Sequence, residues 1–589
     1  MKVKCLCKQY KTVIILVISI IFANLFIYLQ DSVKLNPIII AGLTALFYLA
    51  LSYVWDSREK MLDKRAICGG LLLAVCFSLM MVTGAKINVA NGEFLPFAII
   101  DFFKGIFYFI IGEIIFSFFF LLGTDKMVEK KLLDGGTTRF NLKSFLGYSL
   151  ILILSWIPIF LVYYPGIIPG DATNSIGMVM GDQPWSNHFP VFYTLIIGLF
   201  LQIGELTGNI NLGVALYSIT QLITMALAIG FMLEWLRRRG VCRIWIYMCV
   251  GYFSAIPLFG NYAIVMWKDP WFSAALILLC IFLYDNVVTD PKKFLRKKQL
   301  VLYAAIVILS CLLRNNGIYI AALLSVFLLI IYRHSMRKVC AGILIPLVIV
   351  LLITGPVYRS VFSAENVFVE SVGIPLQQMA RTVVMEGKMT KEQKEVLDAI
   401  LPLEEYKDLY SPFVVDPIKW AQDFDNEYLE AHKIDFLKTW AGMMKNNFGE
   451  YVKQYLMGTY GFWHIGGDLD YEFVKFAIPE NNWGIGQSYF FENHFDYPIQ
   501  DKLNPRYDYL PSGILVWIML WDIVMCWMKK KSIYIIPLLV MAGNWLTLLV
   551  ATPIAFGIRY LFVCVIGLPI MILYPWLIQG QANLDQRLK

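Results

Sequence analysis

The sequence predicts an all-α polytopic membrane protein, and three observations carry that prediction. Hydrophobic residues fill 58% of the 589 positions and charged residues only 16%. The apolar residues come in runs of roughly 18 to 22, the length at which an α-helix crosses a hydrocarbon core about 30 Å thick. Lysines and arginines sit in short clusters between the runs, the pattern that fixes loops on the cytoplasmic side. The net charge of +7 lies in those clusters, so it does not point to nucleic acid. No paired cysteine spacing occurs in a polar segment, which argues against a disulfide framework or a zinc cluster.

In chain order, Met1 to Lys11 is basic and Thr12 to Leu29 lacks a small-residue cleavage pattern, so the first run reads as a retained span. Further spans fall at 37–55, 66–84, 103–123 and 144–163. An inside N-terminus places the basic segments Asp56 to Arg65 and Asp125 to Lys143 inside as well. The fifth span then delivers Tyr164 to Pro190 to the outer face. The next run, 190–206, is short and interrupted by Gly198 and Gly204. If it crossed, Arg237-Arg238-Arg239 would end outside, so it reads as a helix along the outer interface. With that assignment the clusters Arg237 to Arg243, Lys292 to Lys298, Arg333 to Lys338 and Lys529 to Lys531 all fall inside. Later spans are expected at 213–235, 244–259, 271–286, 301–313, 318–332, 340–357, 513–528, 533–551 and 557–577. The total is about fourteen, with both termini cytoplasmic.

The polar stretch 358–511 is long enough for a small, mostly helical external domain. Thr390-Lys391-Glu392-Gln393 fits a capping box ahead of Val396, Leu397, Ile400 and Leu401. Phe436, Trp440, Met443, Met444, Phe448 and Tyr451 recur at helical spacing, as core or as a helix lying on the membrane. Tyr460 to Tyr509 reads as loops that could cover a cavity. The chain thus divides into 1–143, additional spans; 144–357, a core with its first outer loop at 164–212; 358–511, the external domain; and 512–589, C-terminal spans.

This topology gathers chemistry at one end of the bundle. Asp171, in Tyr164-Pro165-Gly166-Ile167-Ile168-Pro169-Gly170-Asp171, could take a proton from an acceptor hydroxyl or amine. It could equally cap a short helix, and the two roles do not exclude each other. Asp269, in Met266-Trp267-Lys268-Asp269-Pro270-Trp271, could position the acceptor or share a divalent cation with Asp171. Two such carboxylates are compatible with Mg²⁺ or Mn²⁺, but no ligand spacing demands a metal. Lys268, Arg314 and Arg559 lie at outer span ends, where fixed cations stabilise phosphate oxygens; snorkelling to headgroups is the alternative. His188 could donate to phosphate or sugar, or simply tie down its loop. Asn174, Tyr193, Asn315 and Gln377 complete the candidate substrate-binding set. No P-loop, GxGxxG after a strand, GxSxG or HExxH occurs.

These pieces resemble the GT-C superfamily of integral membrane glycosyltransferases. The resemblance rests on Asp171 early in an outer loop, then His188-Phe189-Pro190-Val191-Phe192-Tyr193 opening an interfacial helix. A span ending in Arg237 to Arg239 follows, and Gly557-Ile558-Arg559-Tyr560 lies before the last span. The WKDPW loop and Ile374-Pro375-Leu376-Gln377-Gln378 are similar to membrane proteins of Gram-positive bacteria assigned to that superfamily. The resemblance covers about 144–577, and the first four spans stand outside it. It departs from better-known branches, since no Glu follows Asp171 and Lys268-Asp269 is not Asp-x-Asp, so it does not settle metal dependence.

The resemblance implies a GT-C-like bundle in a bacterial plasma membrane and sugar transfer of the inverting type. The donor would be a polyprenyl-phosphate sugar, the acceptor a cell-surface polysaccharide, teichoic acid, glycolipid or protein, and the active site extracellular. Asp171 would be the base, Asp269 an acceptor or metal partner, and Arg559 with Lys268 or Arg314 the phosphate clamp. A flippase or polymerase of lipid-linked sugars is the alternative.

Overall fold

The computed structural model describes residues 11–29, 37–57, 64–133, 138–364, 367–465, 477–488, 499, 512–551, 554–555 and 557–587. Among them, helices dominate, and the only named strands form a hairpin pairing Ile87–Asn88 with Glu93–Phe94. The protein is a multi-pass, all-α membrane protein: nine of the described helices are long and apolar enough to cross a bilayer. A bent pair, Arg243–Ala255 with Pro257–Ile264 at 60°, brings the number to ten if it counts as one span.

The count by length is therefore below the expected fourteen. Several expected spans are helices of only 15 to 17 residues: Lys297–Leu313, Gly317–Ile331 and Ser512–Met528. At 1.5 Å per residue such a helix rises roughly 22 to 26 Å, short of the hydrocarbon thickness. The expected span 557–577 also begins later, at Phe562, and this leaves Arg559 in a turn. The interfacial candidate is the helix Val191–Leu206, 16 residues long and packed on Gly170–Met180 and Ile210–Arg238.

Enclosure separates centre from edge. The span Lys268–Val288 has 83% of its apolar window buried, whereas Lys11–Leu29 and Pro37–Asp56 have 22% and 11%. A helix apolar on every side belongs in the middle of a bundle, and Lys268–Leu283 packs against Ile210–Arg238, Lys297–Leu313, Ile535–Ala551 and the last helix. The first helices pack chiefly on one another, and Ile99–Thr124 is anchored at its start by Lys86, which pairs with Asp101 at 2.8 Å.

Residues 367–458 form a helical lobe with its own core, including Leu376, Met379, Leu397, Tyr406, Phe436, Met443 and Tyr451. The capping box is present, with the Gln393 amide 3.3 Å from the Thr390 hydroxyl and the Thr390 amide 2.9 Å from the Gln393 side chain. Of the Met and aromatic stripe, Phe448 stays exposed. The covering loop read in Tyr460 to Tyr509 falls largely outside the described residues. One described part of it, 477–488, lies across the first loop: the Ser488 amide donates to the Tyr164 carbonyl at 2.9 Å and Asn211 donates to the Gly484 carbonyl at 3.2 Å.

Candidate functional site

Backbone pairing brings two distant loops together. Ile167 and Val265 form a parallel bridge, with the Met266 amide 2.8 Å from the Ile167 carbonyl. Gln221, fully buried in the Ile210–Arg238 helix, donates to the carbonyls of Tyr262 at 3.0 Å and Val265 at 2.6 Å. Its oxygen accepts from Tyr217 at 2.8 Å, and Tyr217 meets the hydroxyl of Tyr193 at 2.7 Å. One helical turn thus holds the segment leading to Lys268, while the bridge fixes the loop leading to Asp171.

Asp171 sits in the first turn of Gly170–Met180, whose N-cap is Pro169, so it is not the capping residue. An acid there still meets the positive end of the helix. Lys268 and Asp269 open the central helix, whose first turn likewise favours an acid. Arg314 lies where two short helices meet, and Arg559 in the 557–560 turn, held by Asn544, which donates to the Tyr560 carbonyl at 2.8 Å. Pairing of Val414 with Ile554 and an Ala555 amide bond to the Phe413 carbonyl at 2.7 Å steer this turn toward the helical lobe.

The four segments converge. Arg559 Nη2 lies 2.5 Å from Asp171 Oδ2, and its Nε lies 2.7 Å from Asp269 Oδ2. Arg314 donates to the other oxygen of Asp269. Lys268 Nζ stands 3.7 Å from Asp171. Arg559 also stacks over Trp267 at 4.2 Å and Arg314 over Tyr560 at 4.9 Å, aromatic faces that favour weakly hydrated guanidinium. A small pocket opens here, lined among others by Asp171, Ser175, Phe189, Tyr193, Lys268 and Arg559.

The two carboxylates are not equivalent. Asp269 has a side chain 1% exposed and both oxygens occupied by arginines; that of Asp171 is 41% exposed. Burial pushes the Asp171 carboxyl up, but Arg559 and Lys268 outweigh it and hold the group well below the usual carboxylate range. Three cations face two carboxylates, which leaves one positive charge, the balance suited to an anion. The same balance fits a divalent cation poorly, because Asp269 has no oxygen left and three fixed cations surround the rest.

His188 reaches a second cluster that the sequence did not single out. Its Nδ1 is 3.4 Å from Glu370, Lys419 Nζ is 2.8 Å from Glu370, and Lys419 Nζ is 3.0 Å from Asp416. Burial, with Lys268 and Lys419 nearby, pulls the imidazole down to about 4 against the pull of Glu370 and Asp171. Nothing in Val369-Glu370-Ser371 or Val415-Asp416-Pro417 marks these residues locally; only the fold brings the lobe to the loop. Asn315 donates to the Asn187 carbonyl at 2.7 Å and so steadies the His188 loop. Asn174 bonds its own helix at the Gly170 carbonyl. Gln377 lies elsewhere, buried in the helical lobe and donating to the Ser411 carbonyl at 3.0 Å.

The profile described as "Family of unknown function (DUF6020)" matches residues 182–482, just over half of the chain. The chain belongs to the DUF6020 family. The DUF6020 segment carries His188, Lys268, Asp269, Arg314, Glu370, Asp416 and Lys419, while Asp171 and Arg559 come from its two flanks. No curated protein and no solved structure matches the chain.

Proposed function

We propose that this protein is a membrane glycosyltransferase that moves a sugar from a polyprenyl-phosphate donor to a cell-surface acceptor on the outer face of a bacterial plasma membrane. The observation that supports this most is the meeting of Asp171, Lys268, Asp269, Arg314 and Arg559 in one ion network among apolar helices, with Asp171, Lys268 and Arg559 lining a pocket. A lipid-linked donor needs its phosphate held where its tail can remain among the spans, and fixed cations at span ends do that. On this reading the bundle is GT-C-like, both termini are cytoplasmic, and the lobe 367–458 is external.

Asp171 is the base. It takes the proton of the acceptor hydroxyl as the acceptor oxygen bonds to the anomeric carbon, and the phosphate leaves with the electron pair of the broken bond. Lys268 and Arg559 meet the charge that builds on that phosphate. Both cations hold Asp171 in the resting site, so a phosphate that takes them over leaves the carboxylate a stronger base. Retention through a glycosyl-enzyme would need a second free carboxylate. Asp269 is occupied by two arginines, so a single inverting displacement fits the site.

The test is reconstitution in vesicles supplied with polyprenyl-phosphate hexose and a glycan acceptor. Asp171→Asn is expected to lower transfer by about 100-fold or more, the usual worth of a positioned base. Turnover at the wild-type rate would remove the role. The same vesicles distinguish the alternative: lipid translocation without a new glycosidic bond would identify a flippase.

A further inference from the structure

Two neighbouring clusters, one holding Asp171 and the other His188, carry opposite charge. On the side of Lys268, Arg314 and Arg559, the carboxylates Asp171 and Asp269 leave one positive charge. Beyond Asp171, Glu370 and Asp416 against Lys419 leave one negative charge, and His188 is neutral. Access differs in the same sense. The side chains of Arg559 and Lys268 are 5% and 13% exposed, whereas those of Asp416, His188 and Glu370 are 33%, 27% and 21% exposed. Lys419, at 4%, is enclosed between its two carboxylates and presents no cation outward. A molecule that approaches Asp171 from the open side therefore meets carboxylates and an imidazole.

We propose that His188, Glu370 and Asp416 form the acceptor half of the site, and that this half admits a glycan rich in hydroxyl or ammonium donors and turns away polyanionic chains. The assignment rests on the transfer reading above and narrows its acceptor. Carboxylates accept from hydroxyls and pair with ammonium groups, while a phosphate polymer placed here would face Asp171, Glu370 and Asp416 at once. The helical lobe thereby gains a role in the chemistry, since it brings Glu370 and Asp416 to a loop in which the bundle holds His188 and Asp171.

The experiment uses the full chain in nanodiscs with three probes of matched length: a neutral oligosaccharide, an amino-bearing oligosaccharide and poly(glycerol phosphate). Binding is measured without donor, and transfer with polyprenyl-phosphate hexose. Binding of the first two is expected to exceed that of poly(glycerol phosphate) by roughly tenfold, the scale of a like-charge contact largely screened by water. The pair Glu370→Gln and Asp416→Asn is expected to shrink that ratio while the KM for the donor stays unchanged. Tighter binding of poly(glycerol phosphate) by the wild type, or a ratio that the double variant leaves alone, would overturn the assignment. Selective binding without transfer to any probe would instead defeat the transfer reading and leave the charge selectivity standing.

Discussion

Asp171 and Asp269 are the same residue type within one ion network, yet a single change should have different consequences at each. Asp269 neutralises two buried arginines with both its oxygens. Its replacement by asparagine leaves guanidinium charge uncompensated, a change that costs roughly 3 kcal/mol or more when a buried pair is broken. Asp269→Asn should therefore melt well below wild type in a thermal scan. Asp171→Asn, at the exposed end of the network, should melt close to wild type and lose transfer. Equal melting losses would mean that the two acids share one structural role. His188 offers a test by pH. An unfolded histidine binds its proton near pH 6.5, the folded one only near 4. Between those values the unfolded chain holds more protons, so stability falls as pH falls through that window. His188→Gln should accordingly lose less melting temperature between pH 7 and pH 5 than wild type; an equal loss would place that pH response on other groups.

At the level of elements, the site depends on how closely short helices can approach. Lys297–Leu313 and Gly317–Ile331 turn around Arg314 with no room to spare: a Cβ on Gly317 would lie 2.8 Å from the Cys311 Cα and 2.9 Å from the Ser310 carbonyl oxygen. Backbone atoms cannot swing aside as a side chain can. Gly317→Ala should push the turn apart, cost about 1 to 3 kcal/mol, and weaken donor binding through a displaced Arg314. Gly147→Ala is the control, since a Cβ there meets nothing within 4 Å. Donor affinity unchanged by Gly317→Ala would show that Arg314 does not need this turn. The element scale also explains what sequence could and could not disclose. Asp171, Lys268, Asp269, Arg314 and Arg559 were legible because hydropathy and basic clusters assign each to a span end on one side, and ends on one side can meet. Which acid pairs with which cation was not legible, because it depends on contacts between residues 45 to 388 positions apart. Glu370, Asp416 and Lys419 were hidden for the same reason, and Gln377, drawn in by motif, turned inward to its own lobe. At Arg559 a polar turn delays the last helix to Phe562, whereas the two helices that meet at Arg314 keep their expected bounds to within a few residues.

For the molecule as a whole, every functional statement depends on which side of the membrane holds the pocket. The pocket end and the arginine end are opposite ends of one helix, Ile210–Arg238. Near its start, Asn211 bonds the segment that reaches Tyr164; at its end, Arg239 pairs with Asp285 and stacks over Tyr284 at 4.7 Å. Arg237 meanwhile pairs with buried Glu234 at 2.6 Å. Ion pairing so close to the span end reduces the free positive charge there, yet Lys292, Arg296, Lys297 and Lys298 add more cations two helices later, and short basic loops favour the cytoplasm. Exposed Thr207 lies just before the helix, on the pocket side, and exposed Lys292 follows the central span on the other. A membrane-impermeant maleimide applied to intact cells should label Thr207→Cys above the wild-type background and label Lys292→Cys only after permeabilisation. The opposite pattern would put Asp171 and its cations on the cytoplasmic side, where nucleotide sugars compete as donors, and the case for a polyprenyl-phosphate donor at an outer face would fall with it.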